Sequence, residues 1–365
     1  MAMSAEMREK FKQKMAASLA SNKATTEVEE KEVEEAVASL FDDVPEIEVG
    51  PHQKLFSELF FDPAELDLPD FAMDTFFHKL KGKGAWPKWV QEMIPLPIPY
   101  QWNKEVVYSF CATEGKHTQL VGKPGAGKTT LPQQVAAKTG RPVFVQSFRQ
   151  GLEEDDWLAK QEINDKGTFL NVLPLVQGMA FPFYAVMDEF NRMSRGGRLL
   201  FNGLLHAGGS LRLPNGEKVT PVEGWRCVTT DNTKGFGDGL DIFDGDVNDI
   251  STTDRFALMI EVPYLPFDQQ VEMLTDTVPY LPTEVAKDIV LFGSKVADGF
   301  DSGSLPLPWT PRRATAAGEL TIKYKNLTKA LKDSYFAFMP EDSEKQVLNQ
   351  ILRDVGIAKK FGEFV

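Results

Sequence analysis

Two short runs carry residue types and spacings with chemical meaning. The first is Gly122-Lys-Pro-Gly-Ala-Gly-Lys128-Thr129, which fits the pattern G-x-x-x-x-G-K-[ST]. Glycines let successive backbone N–H groups turn inward around phosphate oxygens, and a following helix N-terminus adds the positive end of its dipole. On this reading Gly122, Lys123, Pro124, Gly125, Ala126, Gly127, Lys128, Thr129 and Thr130 form a phosphate cradle. Lys128 reaches the β- and γ-phosphates, and the Thr129 hydroxyl is a Mg²⁺ ligand. The second run is Tyr184-Ala-Val-Met-Asp188-Glu189, an apolar stretch that ends in two carboxylates. Asp188 is expected to share the Mg²⁺ shell with Thr129, and Glu189 to orient or deprotonate an attacking water. The chemistry implied is Mg²⁺-dependent hydrolysis of a nucleoside triphosphate. No Asn-Lys-x-Asp run that would read guanine is present, so ATP is the expected nucleotide.

Three further residues are candidates with weaker signals. Asn232 follows the apolar run Arg226–Thr230 and is expected between the two motifs, within reach of the γ-phosphate or the water; an ordinary loop asparagine fits the same letters. Arg255, in Asp254-Arg255-Phe256, is read as an arginine finger that completes a neighbour's site in trans; a surface ion pair is the plainer alternative. Arg312, in Thr310-Pro311-Arg312-Arg313, opens a helix and can point back at the nucleotide, or be a helix-start surface charge.

The elements that must position these residues are legible in outline. Strands are predicted at His117–Val121, Pro142–Gln146, Phe183–Met187 and Arg226–Thr230, each short and apolar like a buried parallel strand. Helical patterns lie between them, including 102–111 and 130–138, so a parallel sheet with crossover helices is expected. The fold class is α/β, an αβα sandwich of the phosphate-loop NTPase type. After Pro263, amphipathic helices are predicted over 267–277, 283–298, 312–325 and 341–361, a helical lid. The expected organisation is an acidic tail at 1–50, an aromatic-rich segment and Pro linker at 51–97, a nucleotide-binding domain at 98–264, and the lid at 265–365. The aromatic segment, with Phe56, Phe60, Phe61, Phe71, Trp86 and Trp89 among its rings, fits a small helical module or a strap on the main domain.

Composition narrows the class. Forty Lys and Arg face 53 Asp and Glu, a net charge of −13, which disfavours broad nucleic-acid binding, although Arg212 and Lys218 on a hairpin keep a local contact open. Residues 27–48 hold ten acids and the single base Lys31, so most of the net charge lies there. That block fits a solvated tail or a docking arm for a basic partner. Two cysteines, Cys111 and Cys227, cannot build a disulfide framework, and the N-terminus is too charged for a secretory leader. No run is long and apolar enough to span a membrane, so a cytoplasmic location is expected. The four histidines are scattered with no Cys/His cluster, so no site for a transported metal is visible.

Taken together, these residues resemble the AAA+ superfamily, in the branch that holds the MoxR ATPases, the dynein-related ATPases and the chelatase subunits. The resemblance spans about residues 98–325. Within the branch, Thr230-Asp-Asn-Thr-Lys-Gly-Phe-Gly-Asp-Gly-Leu, Phe243-Asp-Gly, Asn248 and Asp254-Arg255-Phe256 are most similar to the small-subunit (CobS) family of aerobic cobaltochelatase. The hairpin-like run Gly209–Thr220, with Asn215-Gly216 as its turn, sits where the branch has its pre-sensor hairpin. By position the resemblance makes Gly122–Thr130 Walker A, Asp188 and Glu189 Walker B, Asn232 sensor 1, Arg255 the finger and Arg312 sensor 2. It implies ATP and Mg²⁺ as cofactors and a ring, usually a hexamer. It also implies a protein partner, such as a chelatase large subunit or a protein with a von Willebrand-type domain. One departure is Asp188-Glu-Phe-Asn191-Arg192, whose wording is nearer to MoxR than to the cobaltochelatase subunit.

Overall fold

The computed structural model describes residues 48–362, apart from 83, 150, 166, 207, 233–253, 340 and 341. The acidic block therefore lies outside the described residues except for Glu48, and so does the loop with Phe243 and Asn248.

The described chain begins with β1 (Gln53–Leu55), α1 (Phe56–Phe60) and β2 (Ala72–Asp74), the two strands pairing antiparallel. Next come α2 (Lys88–Glu92), α3 (Lys104–Ala112), β3 (Thr118–Val121), α4 (Thr130–Thr139) and β4 (Val143–Ser147). An antiparallel pair, β5 (Ala159–Asn164) and β6 (Gly167–Val172), precedes α5 (Pro174–Gly178), β7 (Tyr184–Asp188) and α6 (Arg195–Leu204). A second small pair, β8 (Leu211–Arg212) and β9 (Lys218–Val219), leads to β10 (Arg226–Asp231) and β11 (Leu258–Glu261). The remainder is helical: α7 (Phe267–Thr277), α8 (Thr283–Asp301), α9 (Pro311–Tyr324), α10 (Leu327–Ser334), α11 (Asp342–Asp354) and α12 (Ile357–Phe361).

The central sheet has five strands in the order β11-β3-β10-β7-β4, and every neighbouring pair is parallel. The inner strands β3, β10 and β7 are buried on both faces, whereas the edge strands β4 and β11 are partly exposed. Alternation still assigns each residue a face. On β7, Tyr184 and Val186 enter one core with Val107 and Phe110 of α3 and Val135 of α4. Ala185 and Met187 enter the opposite core with Leu175 of α5 and Phe201 and Leu204 of α6. The result is the αβα sandwich with a parallel sheet that the sequence predicts, followed by helices with a third core of their own, built on Leu274, Ile289, Phe292, Leu331 and Leu352.

The aromatic N-terminal segment contributes to both sheet cores. Phe56 is fully buried, stacks on Phe71 with centroids 5.1 Å apart, and meets the Tyr108 ring of α3 edge-on at 5.4 Å. On the other face Trp89 lies 5.5 Å from Phe181 and 6.2 Å from Phe183. A strap over the sandwich therefore describes this segment.

Sequence reasoning overlooked several elements. Strand β11 is a four-residue edge strand whose Met259 is exposed, so it lacks the apolar continuity of its neighbours. Helix α10 is missed although Asn326 caps it by accepting from the Lys329 amide at 2.9 Å. The helix expected over 341–361 divides at Gly356, whose φ of 78° interrupts the helical path. The pair β5–β6 is largely exposed and carries no core pattern to find.

Candidate nucleotide site

The loop between β3 and α4 places its residues by backbone necessity. Gly122 has φ 149°, and a Cβ there would sit 2.4 Å from the Val262 carbonyl oxygen, so no side chain fits. Gly125 has φ 79°, and its Cβ would lie 3.0 Å from Pro311 Cδ at the start of α9. The loop is thus pressed between the end of β11 and the first helical turn of α9.

Lys128 is buried, at 7% exposure, and its ammonium donates to the Gly122 carbonyl at 2.7 Å, the Lys123 carbonyl at 3.0 Å and Asn232 Oδ1 at 2.8 Å. Three donors find three acceptors. Burial depresses the Lys128 pKa to about 8, against the opposing pull of the Asp188 and Asp231 carboxylates, and the Arg312 charge adds to the depression. Strand order explains Asn232: β10 lies between β3 and β7, so the residue that follows β10 emerges between the two motifs.

Asp188, at the C-terminal end of β7, accepts hydrogen bonds from three hydroxyls. Thr129 Oγ1 and Thr230 Oγ1 each lie 2.6 Å from its Oδ1, and Ser147 Oγ is 3.4 Å from its Oδ2. This is an all-oxygen donor set, the kind Mg²⁺ takes together with phosphate oxygens and water. Among the described residues no group of three or more His, Cys, Asp or Glu side chains is placed to hold a metal. Glu189 follows in the left-handed region, φ 54°, with its amide donating to Thr230 Oγ1 at 3.1 Å and its carboxylate 3.1 Å from Arg192. A non-glycine residue held there is strained, a feature that gathers at functional sites.

These side chains line one polar cavity of about 230 Å³, with Arg312 on its far wall. Arg312 comes from the first turn of α9, where Pro311 occupies the opening position and Thr310 is the N-cap. Lys128, Thr129, Asp188, Glu189, Asn232 and Arg312 are therefore brought together. Arg255 is not. It precedes β11 and so lies at the opposite, N-terminal edge of the parallel sheet, where its Nε donates to His206 Nε2 at 3.1 Å in a separate groove with Glu114, His117 and Trp225.

A second, apolar cavity of about 210 Å³ shares Gly125, Gly127 and Thr130 with the first. Ile98, Tyr100, Tyr264, Gln270 and Met273 line it, and burial raises the Tyr100 hydroxyl to about 12. Its walls are apolar where those of the neighbouring cavity are polar. Sequence reasoning did not single out this cavity, because its walls come from the Pro linker, the segment after β11 and α7. The one available signal is Tyr100, an aromatic held directly after Pro95, Pro97 and Pro99. Thr230 and Ser147 were also missed; both sit at the C-terminal ends of strands beside Asp188.

Comparison with known proteins follows this geometry. The family described as AAA domain (dynein-related subfamily) matches residues 117–244. No curated protein matches the chain significantly. Among solved structures, the RuvB Holliday junction branch migration motor of Thermotoga maritima is 14% identical, covers 72% of this chain and 83% of its own, and has a TM-score of 0.41. A mutant form of the same RuvB protein is 13% identical over 71% of this chain and 80% of its own, with a TM-score of 0.42. Residues 117–244 are accordingly similar to the AAA domain of the dynein-related subfamily.

Proposed function

We propose that the chain is a Mg²⁺-dependent ATPase that works as a ring and drives a partner complex. The observation that carries this reading is the Lys128 ammonium, whose partners are backbone carbonyls and Asn232, beside the Thr129–Asp188 pair and open to the polar cavity. Phosphates entering the cavity replace the neutral acceptors of Lys128 with anionic ones, which favours its charged form further. The base occupies the apolar cavity beside Tyr100. Thr129 and Asp188 would hold Mg²⁺, which would supply charge neutralisation for the phosphates. Glu189 orients the attacking water and takes its proton as the bond from the γ-phosphorus to the β–γ bridging oxygen breaks and ADP leaves, while Asn232 and Arg312 steady the γ-phosphate. Residues 98–264 act as the nucleotide-binding domain and 265–365 as its lid.

Arg255 lies away from its own chain's cavity, which suits a role on the next protomer's nucleotide and hence a ring, probed by mass measurement with an ATP analogue. The finer assignment is a CobS-like role in a cobaltochelatase-type complex, where hydrolysis drives metal insertion into a tetrapyrrole. A second reading is a MoxR-like remodelling chaperone with a von Willebrand-type partner. The Asp188-Glu-Phe-Asn191-Arg192 wording favours it, and Asn191 is buried with its carbonyl accepting from Arg198 at 3.2 Å. Partner capture separates the two by whether a tetrapyrrole-binding subunit is retained. A cytoplasmic setting suits Cys111 and Cys227, both buried and free, and no helix among the described residues is long and apolar enough to cross a membrane.

The hydrolytic step is tested with Glu189→Gln. That variant is expected to bind Mg-ATP as wild type does and to turn it over roughly 100-fold more slowly. Wild-type turnover removes Glu189 from the mechanism. If the variant still supports its partner fully, ATP binding rather than hydrolysis is what the partner needs.

A further inference from the structure

We propose that Tyr264 is a positioning residue that couples the phosphate loop to the C-terminal helices through a single shared hydroxyl proton; this rests on the nucleotide-site reading. Tyr264 lies in the segment that joins β11 to α7. Its hydroxyl is 2.8 Å from the Pro124 carbonyl of the loop and 3.2 Å from the Trp309 carbonyl just before α9. Both neighbours are acceptors, and a phenol has one proton to give. A full hydrogen bond to one carbonyl therefore weakens the bond to the other. Burial first, and the Asp301 carboxylate second, push the Tyr264 pKa up to about 12, so the hydroxyl stays a donor at ordinary pH.

The two carbonyls belong to separately packed parts of the fold. Pro124 is inside the loop that receives phosphates. Trp309 is keyed into the helical core: its ring packs edge-on against Phe292 at 5.4 Å and Tyr335 at 5.3 Å, and a Cβ at Gly293 would collide with it. The Trp309 carbonyl thus reports the position of the whole helical body. Two contacts run beside the shared proton. Lys123 of the loop pairs with Asp301 at the end of α8, at 2.8 Å, and Gly125 abuts Pro311 and Thr310. The Lys123–Asp301 pair is exposed and worth little alone. The half-buried hydroxyl is the stronger tie, and the Tyr264 ring also lines the apolar cavity. A loop that tightens around phosphates draws the proton toward Pro124 and loosens Trp309; a loop that relaxes returns it. This tie runs beside the direct approach of Arg312 to the polar cavity and links the loop to the segment just before α9.

The test uses the full chain with Mg-ATP, by hydrogen exchange over residues 301–311 together with turnover and nucleotide affinity. In the wild type, ATP is expected to change the exchange rate of this segment severalfold. Tyr264→Phe keeps the ring and removes only the proton. It is expected to bind ATP within about threefold of wild type, to lose the ATP-dependent change over 301–311, and to turn over roughly three- to tenfold more slowly, the worth of one neutral hydrogen bond. Asp301→Asn breaks the outer pair alone and is expected to leave most of the change in place. An ATP-dependent change of wild-type size in Tyr264→Phe overturns the proposal, whatever Asp301→Asn does, as does a wild type that binds ATP with no change over 301–311. A wild type with no ATP affinity instead removes the nucleotide reading itself.

Discussion

The two edges of the central sheet both bury cations, and they do so in opposite ways. At the N-terminal edge lie Arg141 and Arg226, each almost completely buried. Both terminal nitrogens of Arg226 have partners, the Phe110 carbonyl at 2.7 Å and the hydroxyls of Thr113 and Thr118, and the guanidinium lies 4.1 Å from the Phe110 ring centre. Arg141 is paired with Glu114 and donates to the Gly224 carbonyl at 2.6 Å and the Pro182 carbonyl at 3.2 Å. At the C-terminal edge the cation is Lys128, a compact ammonium with a depressed pKa that borders an open polar cavity. A guanidinium keeps its charge under burial and suits a permanent scaffold. An ammonium whose charge burial opposes gains most when an anion arrives. The contrast separates a structural cation from one prepared for a ligand.

Three changes would break or sharpen that contrast. The largest effect is expected for Arg226→Ala, which leaves a cavity and takes a charged donor from a buried carbonyl and two hydroxyls. It should cost about 3–5 kcal/mol in denaturant unfolding, while the folded fraction binds ATP within about twofold of wild type. A large loss of affinity with unchanged stability would reverse the assignment of the two edges. Next is Lys128→Ala, expected to weaken ATP binding roughly 100-fold with unfolding stability equal to wild type or higher, because a poorly solvated charge is removed.

The smallest effects are in pH dependence: burial lowers the pKa at both edges, so each group makes the folded chain more stable as pH rises, in a different pH window. Free Lys128 loses its proton above about pH 8, so ATP affinity should fall as pH rises through that value. The unfolded lysine holds its proton to its ordinary value of 10.5, so this group should make the nucleotide-free protein more stable as pH rises from 8 towards 10.5. At the other edge, burial first and Arg226 second lower His117 to about 4, and its Nδ1 accepts from the Cys227 amide at 3.2 Å. The unfolded imidazole takes a proton from about 6.5 downward while the folded one does not. Stability from His117 is therefore complete above 6.5 and lost as pH falls towards 4, and His117→Gln should flatten that slope in thermal melts.

How much of this was legible depended on whether the residues were neighbours in sequence. The cradle is contiguous, and its glycines are required by local backbone geometry, so Gly122–Thr130 could be read letter by letter. Asp188 and Glu189 could be read because an apolar run that ends in acids marks a strand's exposed end. Asn232 could be expected between the motifs, but its bond to Lys128 depends on β10 lying beside both β3 and β7. The apolar cavity could not be read, since Ile98, Tyr100, Tyr264 and Met273 are ordinary core letters in separate segments. Strand β11 and helix α10 escaped for a related reason: short elements carry too few turns of pattern to stand out.

Sequence alone thus determined the residues whose chemistry is local: the phosphate loop, the paired acids and the parallel α/β scaffold that carries them. Backbone conformation and side-chain alternation act over a few residues, so they leave a mark in the letters. Only the tertiary structure decided which loop faces Arg312, where the apolar cavity lies, that Arg255 lies at the far edge of the sheet, and that one tyrosine proton stands between two carbonyls 185 positions apart, at Pro124 and Trp309. Those outcomes follow from strand order and from packing between distant segments, and no short stretch of sequence contains them.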